Sequence, residues 1–565
     1  MAERKDRSSK IYRSMPALLP CKLPSLKHYT CLYGQPCWPD PGAFSALASQ
    51  VSQPLLHSVP PASACYRHPP LSENCSDVTT HYKDGVWRSN HPGAMQMANF
   101  ETFISPSGSI SACYLNQGSI PPIGVNATSV HDVQAAVKFA NRNNLRLVIK
   151  NTGHDYLGRS AGKGGFMLWT HSLKEMTYSS SFIPDGAPSN GTEVFNAVTF
   201  GAGVQWFEAY AFAHQQGRFV VGGISFGGSI GAAGGWIMGA GHSALSPTLG
   251  LGVDNVLQFS VVLADGSLVV ANAYQHSDLF WALRGGGGGT YGVVVSATYK
   301  TYADFPLTLY ILSEVVTQFI RLHPTISDAG WGGYSSITPS NLRLAFAKPN
   351  ATVADANSTF APLTNLAFNA TGGNVQTLPL SYPSFLDWFN AFFRGEAGQV
   401  GIQLYIANRL LPRKLAVENP AKAAKLMLSI PRDFSSVAGG AVSRVDPSST
   451  GLNPSWRGAL SEVYITETWP EGSSAATIAQ HVESLKKDTD IIDQLTTDSG
   501  SYLNEASLFE KDFKKSFFGP HYSKLKSIKN KHDPASLFVV AEGVGSDEWD
   551  SDLECRVNGQ KRPLP

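Results

Sequence analysis

Along residues 129–149, "SVHDVQAAVKFANRNNLRLVI", Val133, Ala136, Val137 and Ala140 recur at helical spacing, with polar residues between them. That pattern predicts an amphipathic helix, with Ser129 and Asp132 in the capping arrangement at its start and Asn143-Asn144 closing it. The apolar run at 145–149 predicts a buried strand, which delivers "NTGHDYLGRS" at its carboxyl end, where open α/β layers bind ligands. "NAVTFGAGVQWFEAYAFAHQQG" predicts a strand, a glycine turn and a helix. "VLQFSVVLADGSLVVAN" predicts a hairpin around Asp265-Gly266. "DLFWALRGGGGGTYGVVVSATYKTY" places glycines 285–289 directly before another β-branched strand.

Outside this region the pattern changes. Residues 1–114 are Pro-, Cys- and Ser-rich with little periodicity and predict an irregular extension. The ordered unit spans 115–303. From 304 to 495 Phe and Trp become frequent, glycine runs stop, and mixed strand and helix patterns predict a second domain that builds a substrate pocket. The segment 496–565 is aromatic-rich and helical, with Asp533-Pro534 as a stop signal, and returns to the first domain.

Composition narrows the class. The 565 residues are 43% apolar and only 15% charged, with a net charge of +1, 53 glycines and 35 prolines. No basic stripe supports nucleic-acid binding. The uncharged run 219–253 is long enough to suggest a membrane span, but residues 222–252 hold eleven glycines, which suits a backbone wrapped around a ligand better than a lipid-facing helix.

Six of the seven cysteines (Cys21, Cys31, Cys37, Cys65, Cys75, Cys113) lie in the first fifth of the chain, and the seventh is Cys555. No Cys-x-x-Cys pair exists, so disulfides that staple the N-terminal segment are expected rather than a metal site. Six Asn-x-Ser/Thr sequons (Asn74, Asn126, Asn190, Asn350, Asn357, Asn369) and the cysteines point to a secreted glycoprotein, whereas the N-terminus has no apolar stretch of signal-peptide length.

Three glycine-rich segments carry the chemistry: "NTGHDYLGRS", "VGGISFGGSIGAAGGWIMGAGHS" and "RGGGGGTYGVV". None is the short Gly-x-Gly-x-x-Gly turn of a dinucleotide fold, and none continues into Gly-Lys-Ser/Thr. Several separate backbone approaches imply an extended anionic ligand, gripped along its length by amide N–H groups. A pyrophosphate-bridged dinucleotide has that shape.

These segments, in their order, resemble the FAD-binding domain of the vanillyl-alcohol-oxidase type (the PCMH-type domain). They most resemble the berberine-bridge-enzyme-like branch and its fungal FAD-linked oxidases of the isoamyl-alcohol-oxidase kind. "SVHDVQAAVKFA", "MLWTHSLK", "DLFWALRGGGGGTYGVV", "NRLLPR" and "SYLNEA" extend the likeness over most of the chain. The resemblance implies an α+β fold: a two-subdomain FAD-binding domain and a substrate domain with an antiparallel sheet and flanking helices.

It also implies roles. His154 stands where the family's histidine bonds the flavin 8α carbon, a link that holds the cofactor and raises its potential. Doubly linked members carry a cysteine before the second glycine segment. Arg218 stands about there, and no cysteine lies between Cys113 and Cys555, so a single histidyl link is expected. Asn151, Thr152, Gly153, Asp155, Arg159 and Ser160 are expected to line the pyrophosphate and ring edge. Gly228, Ser229, Gly231, Gly234, Gly235, Gly241 and His242 are expected to form a second wall, with Asp254, Asn255 and Val256 beyond it. Asn504, in the Tyr-x-Asn element with Tyr502, is expected near the ring. For the catalytic base, Tyr502 and Glu462 are candidates. Strand alternation places Glu462 and Tyr464 on one face and Glu467 on the other.

The implied function is oxidation of an alcohol, amine or alkaloid-like intermediate of secondary metabolism, with dioxygen as final acceptor and hydrogen peroxide released. The alternatives are a flavin-scaffold cyclase without net oxidation, and a carbohydrate oxidase, which would need a wide polar pocket. No metal and no membrane span are expected.

Overall fold

A computed structural model describes residues 29–66, 75–101, 117–188, 193–313, 316–338, 341–370, 372–373, 375–395, 400–429, 432–494 and 499–557. Its first layer is a parallel sheet of β1 (Ile123–Asn126), β2 (Leu147–Lys150) and β3 (Phe166–Trp169), with β3 in the centre. The helix Val130–Arg142 packs on it. Ser129 Oγ accepts from Asp132 N–H while Asp132 accepts from Ser129 N–H, and Val133, Ala136, Val137 and Ala140 are buried, as the capping pattern predicts.

Beside it lies an antiparallel sheet of β4 (Met176–Phe182), β5 (Phe195–Gly201), β7 (Val256–Val262), β8 (Leu268–Asn272) and β9 (Val293–Lys300), in the order β4-β5-β9-β7-β8. The expected hairpin is β7–β8, with Gly266 at φ +80°. A separate short antiparallel pair joins β6 (Arg218–Phe219) to β10 (Tyr302–Ala303).

The second unit is a seven-stranded antiparallel sheet. It is built from β11 (Leu307–Ser313), β12 (Gly332–Thr338), β13 (Asn341–Pro349), β14 (Thr377–Tyr382), β15 (Gln403–Pro412), β16 (Arg432–Ser436) and β17 (Ala459–Trp469), in the order β14-β11-β13-β12-β16-β17-β15. Alternation divides its faces. Ala407, Leu411, Phe434, Val463 and Ile465 pack under the helices Val316–Asp328, Pro420–Leu428 and Ala475–Asp493. Leu404, Ile406, Ser435, Tyr464 and Thr466 face the first unit across a cavity. No described helix is long and apolar enough to cross a membrane. The uncharged run 219–253 folds into short turns and helices of three to five residues within the main core.

The described part of the N-terminal segment, expected to be irregular, carries short helices at Pro41–Ala48, Cys75–His81 and Gly85–Ser89. Disulfides join Cys31 to Cys37 and Cys65 to Cys75; Cys555 is disulfide-bonded too, and its backbone bridges Tyr29. Cys21 and Cys113 lie outside the described residues. Among the sequons, Asn350, Asn357 and Asn369 are exposed, while Asn126 ends β1 with its side-chain oxygen Oδ1 buried; Asn74 and Asn190 lie outside the described residues.

Candidate active site

The loop leaving β2 is held by a segment that periodicity could not place. Residues 85–101 pack against it: Gln96 N–H donates to Gly153 O at 2.9 Å, and Gln96 Nε2 donates to Thr152 O at 3.0 Å. Gly153 has φ +82°, and a Cβ there would lie 3.2 Å from both Ala94 O and Met95 Cα, so the turn admits only glycine. Behind it, Arg88 pairs with Glu101, both buried, and Lys150 Nζ donates to His91 O at 2.8 Å. Burial pushes the Lys150 ammonium down to about 7, against the pull of Glu101.

The clamped loop presents His154 to the cavity, its Nε2 2.8 Å from Ser229 Oγ. Burial lowers its pKa to about 3, so the ring is neutral at ordinary pH. Asp155 lines the cavity but is committed to the turn: it accepts from Leu157 N–H at 3.1 Å, Arg159 N–H at 2.8 Å and Arg159 Nε at 2.7 Å. Arg159 keeps one buried terminal nitrogen without a partner.

Asn151, Thr152, Gly153, Ser160, Gly231, Gly234, Gly235 and Asn504 share this wall, joined by Gly288 and Gly289 of the third glycine segment. The residues present suit an extended anionic dinucleotide. Asn151 Oδ1, Asn504 Oδ1 and Arg159 NH1 are buried polar atoms without partners, and such atoms are rare unless a ligand meets them. Asn151 fills the space that side chains at Gly231 and Gly234 would need, since Cβ atoms there would fall 2.4 Å and 2.8 Å from its Nδ2. FAD would be held by these groups.

The opposite wall is aromatic and acidic. Tyr156, Tyr334, Tyr464 and Tyr502 line it, with Met97, Phe226, Phe393, Val400, Leu404 and Ile406. Burial raises all four phenols far above their usual range, assisted by Glu505 and Glu462, so each stays protonated near neutrality. Asn408 on β15 sets the Tyr502–Glu505 turn: its Nδ2 donates to Tyr502 O at 2.9 Å and Glu505 O at 2.8 Å, and its Oδ1 accepts from Tyr502 N–H at 2.7 Å. Tyr502 OH accepts from Asn504 Nδ2 at 2.9 Å, and the His242 ring meets Tyr502 edge-on at 5.0 Å.

Glu505 lines the cavity and lies 3.0 Å from His242 Nε2. Glu462, on β17 between β15 and β16, is fully buried behind His242 at 3.8 Å, does not line the cavity, and has both carboxyl oxygens without partners. Burial, with Glu505 adding, holds Glu462 well above the ordinary carboxyl range. Glu467 faces the other way and accepts from His481, as strand alternation predicts.

Several expected wall residues lie elsewhere. Asp254 is locked to Arg457 at 2.7 Å and 2.8 Å. Asn255 donates to Leu249 O and Leu251 O, and Val256 starts β7; the helix Gly252–Asn255 carries the chain out of the wall and into the sheet. Gly228 and Gly241 pack against Phe207 and Trp236 rather than lining the cavity, and Ser229 touches it only through His154. Arg218 is bonded to Thr301 in β6; the residues of that stretch that reach the cavity are Ile224, Ser225 and Phe226. Among the lining residues none is a cysteine. Sequence reasoning passed over Tyr156, Tyr334 and Glu505. Glu505 directly follows the recognised Asn504 and Tyr156 stands two residues after His154, whereas nothing local singles out Tyr334.

Two family models match the chain: "FAD binding domain" over residues 121–272 and "Berberine and berberine like" over residues 501–545. An FAD-linked oxidoreductase of Arthroderma benhamiae is 38% identical, covering 93% of this chain and 95% of its own length. The VAO-type flavoprotein oxidase VAO615 of Thermothelomyces thermophilus is 33% identical over 93% and 94%. Among solved structures, the VAO-type flavoprotein MtVAO615 of Myceliophthora thermophila superposes with a TM-score of 0.85 at 30% identity, covering 94% of this chain and all of that one. A chitooligosaccharide oxidase, at 17% identity and a TM-score of 0.65, shares the fold. Fold and site therefore define an FAD-binding oxidoreductase of the VAO type. The chain belongs to the family of FAD-linked oxidoreductases that carry the berberine-like C-terminal segment, and FAD is its cofactor.

Proposed function

We propose that the protein is an oxidase that holds FAD through a single covalent bond to His154 and oxidises an apolar, aromatic-compatible alcohol or amine. Bound FAD supplies the two-electron acceptor, and dioxygen restores it with release of hydrogen peroxide. The observation that carries this reading is the cavity itself. One wall holds His154 and the unpaired polar atoms fit for a dinucleotide; the other holds one carboxylate, Glu505, that is not committed to a turn or an arginine.

Substrate would enter between these walls, its O–H or N–H towards Glu505 and its adjacent C–H towards the flavin. Glu505 accepts the proton as the hydride leaves. The four phenols are protonated, so they orient the substrate as donors and do not serve as the base. This moves the proton acceptor from Tyr502 or Glu462 to Glu505, with protonated Glu462 as its buried neighbour. The lining by Met97, Phe226, Tyr334, Phe393, Leu404 and Ile406 favours an apolar secondary-metabolite substrate over a sugar.

The first experiment is a visible spectrum of the purified protein before and after denaturing precipitation, with mass analysis of the peptide containing His154. Yellow colour in the pellet and an FAD adduct on that peptide establish the attachment, and a screen of aromatic alcohols and amines for peroxide release then identifies the substrate. A protein that stays colourless after incubation with FAD sinks the oxidase reading.

A further inference from the structure

Ser229 has no part in the proton chemistry, yet its side chain is completely buried and its hydroxyl reaches one partner, His154 Nε2, at 2.8 Å. The other ring nitrogen, Nδ1, has no hydrogen-bond partner among the described residues, and His154 borders the cavity. The hydroxyl is fixed from behind by the N-terminal segment. A Cβ on Gly85 would fall 2.5 Å from Ser229 Oγ and 3.3 Å from Gln96 Oε1, a buried acceptor with no partner. Gln96 is the same residue that clamps the Gly153 turn. The helix start at Gly85 thus leaves just enough room for the Ser229 hydroxyl to meet the histidine.

We propose that Ser229 is the positioning residue for flavin attachment. Its oxygen accepts the Nε2 proton of His154 and so leaves the Nδ1 lone pair facing the cavity as the nucleophile. This rests on the reading above that His154 carries the flavin. In the step, an N–C bond forms between Nδ1 and the flavin 8α carbon, and one 8α C–H proton is lost. The electron pair of that C–H bond stays on the ring system and passes to dioxygen, giving hydrogen peroxide. The imidazole becomes cationic as the bond forms; its Nε2 proton is released to water, the Ser229 hydroxyl turns to donate to the vacated Nε2, and this proton and the 8α proton balance the two electrons in the peroxide. Burial makes that cation costly, which is why the partner at Nε2 matters.

The test follows attachment rather than turnover. Full-length protein produced under riboflavin limitation is mixed with FAD, and protein-linked flavin is measured over time after acid denaturation, for wild type, Ser229→Ala, Gly85→Ala, Ser229→Thr and His154→Ala. The histidylflavin isomer is identified on the released peptide. Wild type is expected to link through Nδ1. Ser229→Ala and Gly85→Ala are expected to bind FAD but link it at least tenfold more slowly, Ser229→Thr to keep much of the rate, and His154→Ala to link none. Gly85→Ala displaces the hydroxyl without deleting it, so it decides the matter if Ser229→Ala does not fold. An Nε2-linked flavin, or wild-type rates in both Ser229→Ala and Gly85→Ala, overturns the proposal while leaving His154 as the attachment site. A wild-type protein that binds FAD and never links it overturns the attachment reading, and this one with it.

Discussion

His242 Nε2 stands 3.0 Å from a Glu505 oxygen and 3.8 Å from one of Glu462, and of these two carboxyl groups only Glu505 borders the cavity. Two acids around one imidazole, with Tyr156, Tyr334, Tyr464, Tyr502 and Asp433 as the other titratable groups nearby, cannot both ionise cheaply. Glu462, with no exposure and no hydrogen bond, is the one that keeps its proton.

Glu505→Gln is expected to lower the rate of flavin reduction by about 10²–10⁴-fold, the usual worth of a general base. Flavin content should be unchanged. Glu462→Gln, an isostere of the protonated acid, should stay within about threefold of wild type, since it removes no base. Stopped-flow reduction of both variants across pH 5–9, with the substrate found by the peroxide screen, checks this; the opposite ranking would return the base to Glu462.

Glu462 also predicts a pH-dependent stability. Its folded pKa lies above its unfolded value, so its contribution is complete below about pH 4.3 and is lost as pH rises through the folded value. Glu462→Gln should therefore melt with wild type near pH 4 and at or above it near pH 8. Thermal unfolding at the two pH values decides; a variant destabilised at pH 8 would mean that Glu462 is a charged partner of His242 in the native protein.

Gly231→Ala is expected to cost cofactor rather than fold. Its Cβ would lie 2.4 Å from Asn151 Nδ2 and would push that side chain into the cavity. The ratio of visible to ultraviolet absorbance of the purified variant should fall several-fold while circular dichroism stays native.

Arg88→Met should destabilise by about 3–5 kcal/mol, because it strands the buried Glu101 carboxylate. The same variant should lose flavin on dilution, since residues 85–101 brace the Gly153 turn. Retention of flavin at reduced stability would separate the two effects.

The chain's own pattern determined the local parts of this protein. The capped helix Val130–Arg142, the strand leading to "NTGHD", the β7–β8 hairpin and the glycine segments are legible because each depends on neighbours within a few residues: a capping side chain, a period of 3.6 or 2, a turn dipeptide. His154 and Asn504 were identifiable for the same reason, as members of short ordered motifs. Tertiary structure decided the rest. Residues 85–101 show no period, since they are ordered by hydrogen bonds to a loop more than fifty residues away. The aromatic and acidic wall forms only when β12, β15, β16 and β17 converge with the 502–505 turn, and Asn408 makes that junction from nearly a hundred residues off. Asp254 and Asn255 show the reverse case: adjacency to the glycine segment suggested the wall, but Arg457, Tyr302 and two backbone carbonyls claim their side chains elsewhere. Which carboxylate meets the cavity is a matter of burial, a property of the packed sheet that no window of sequence contains.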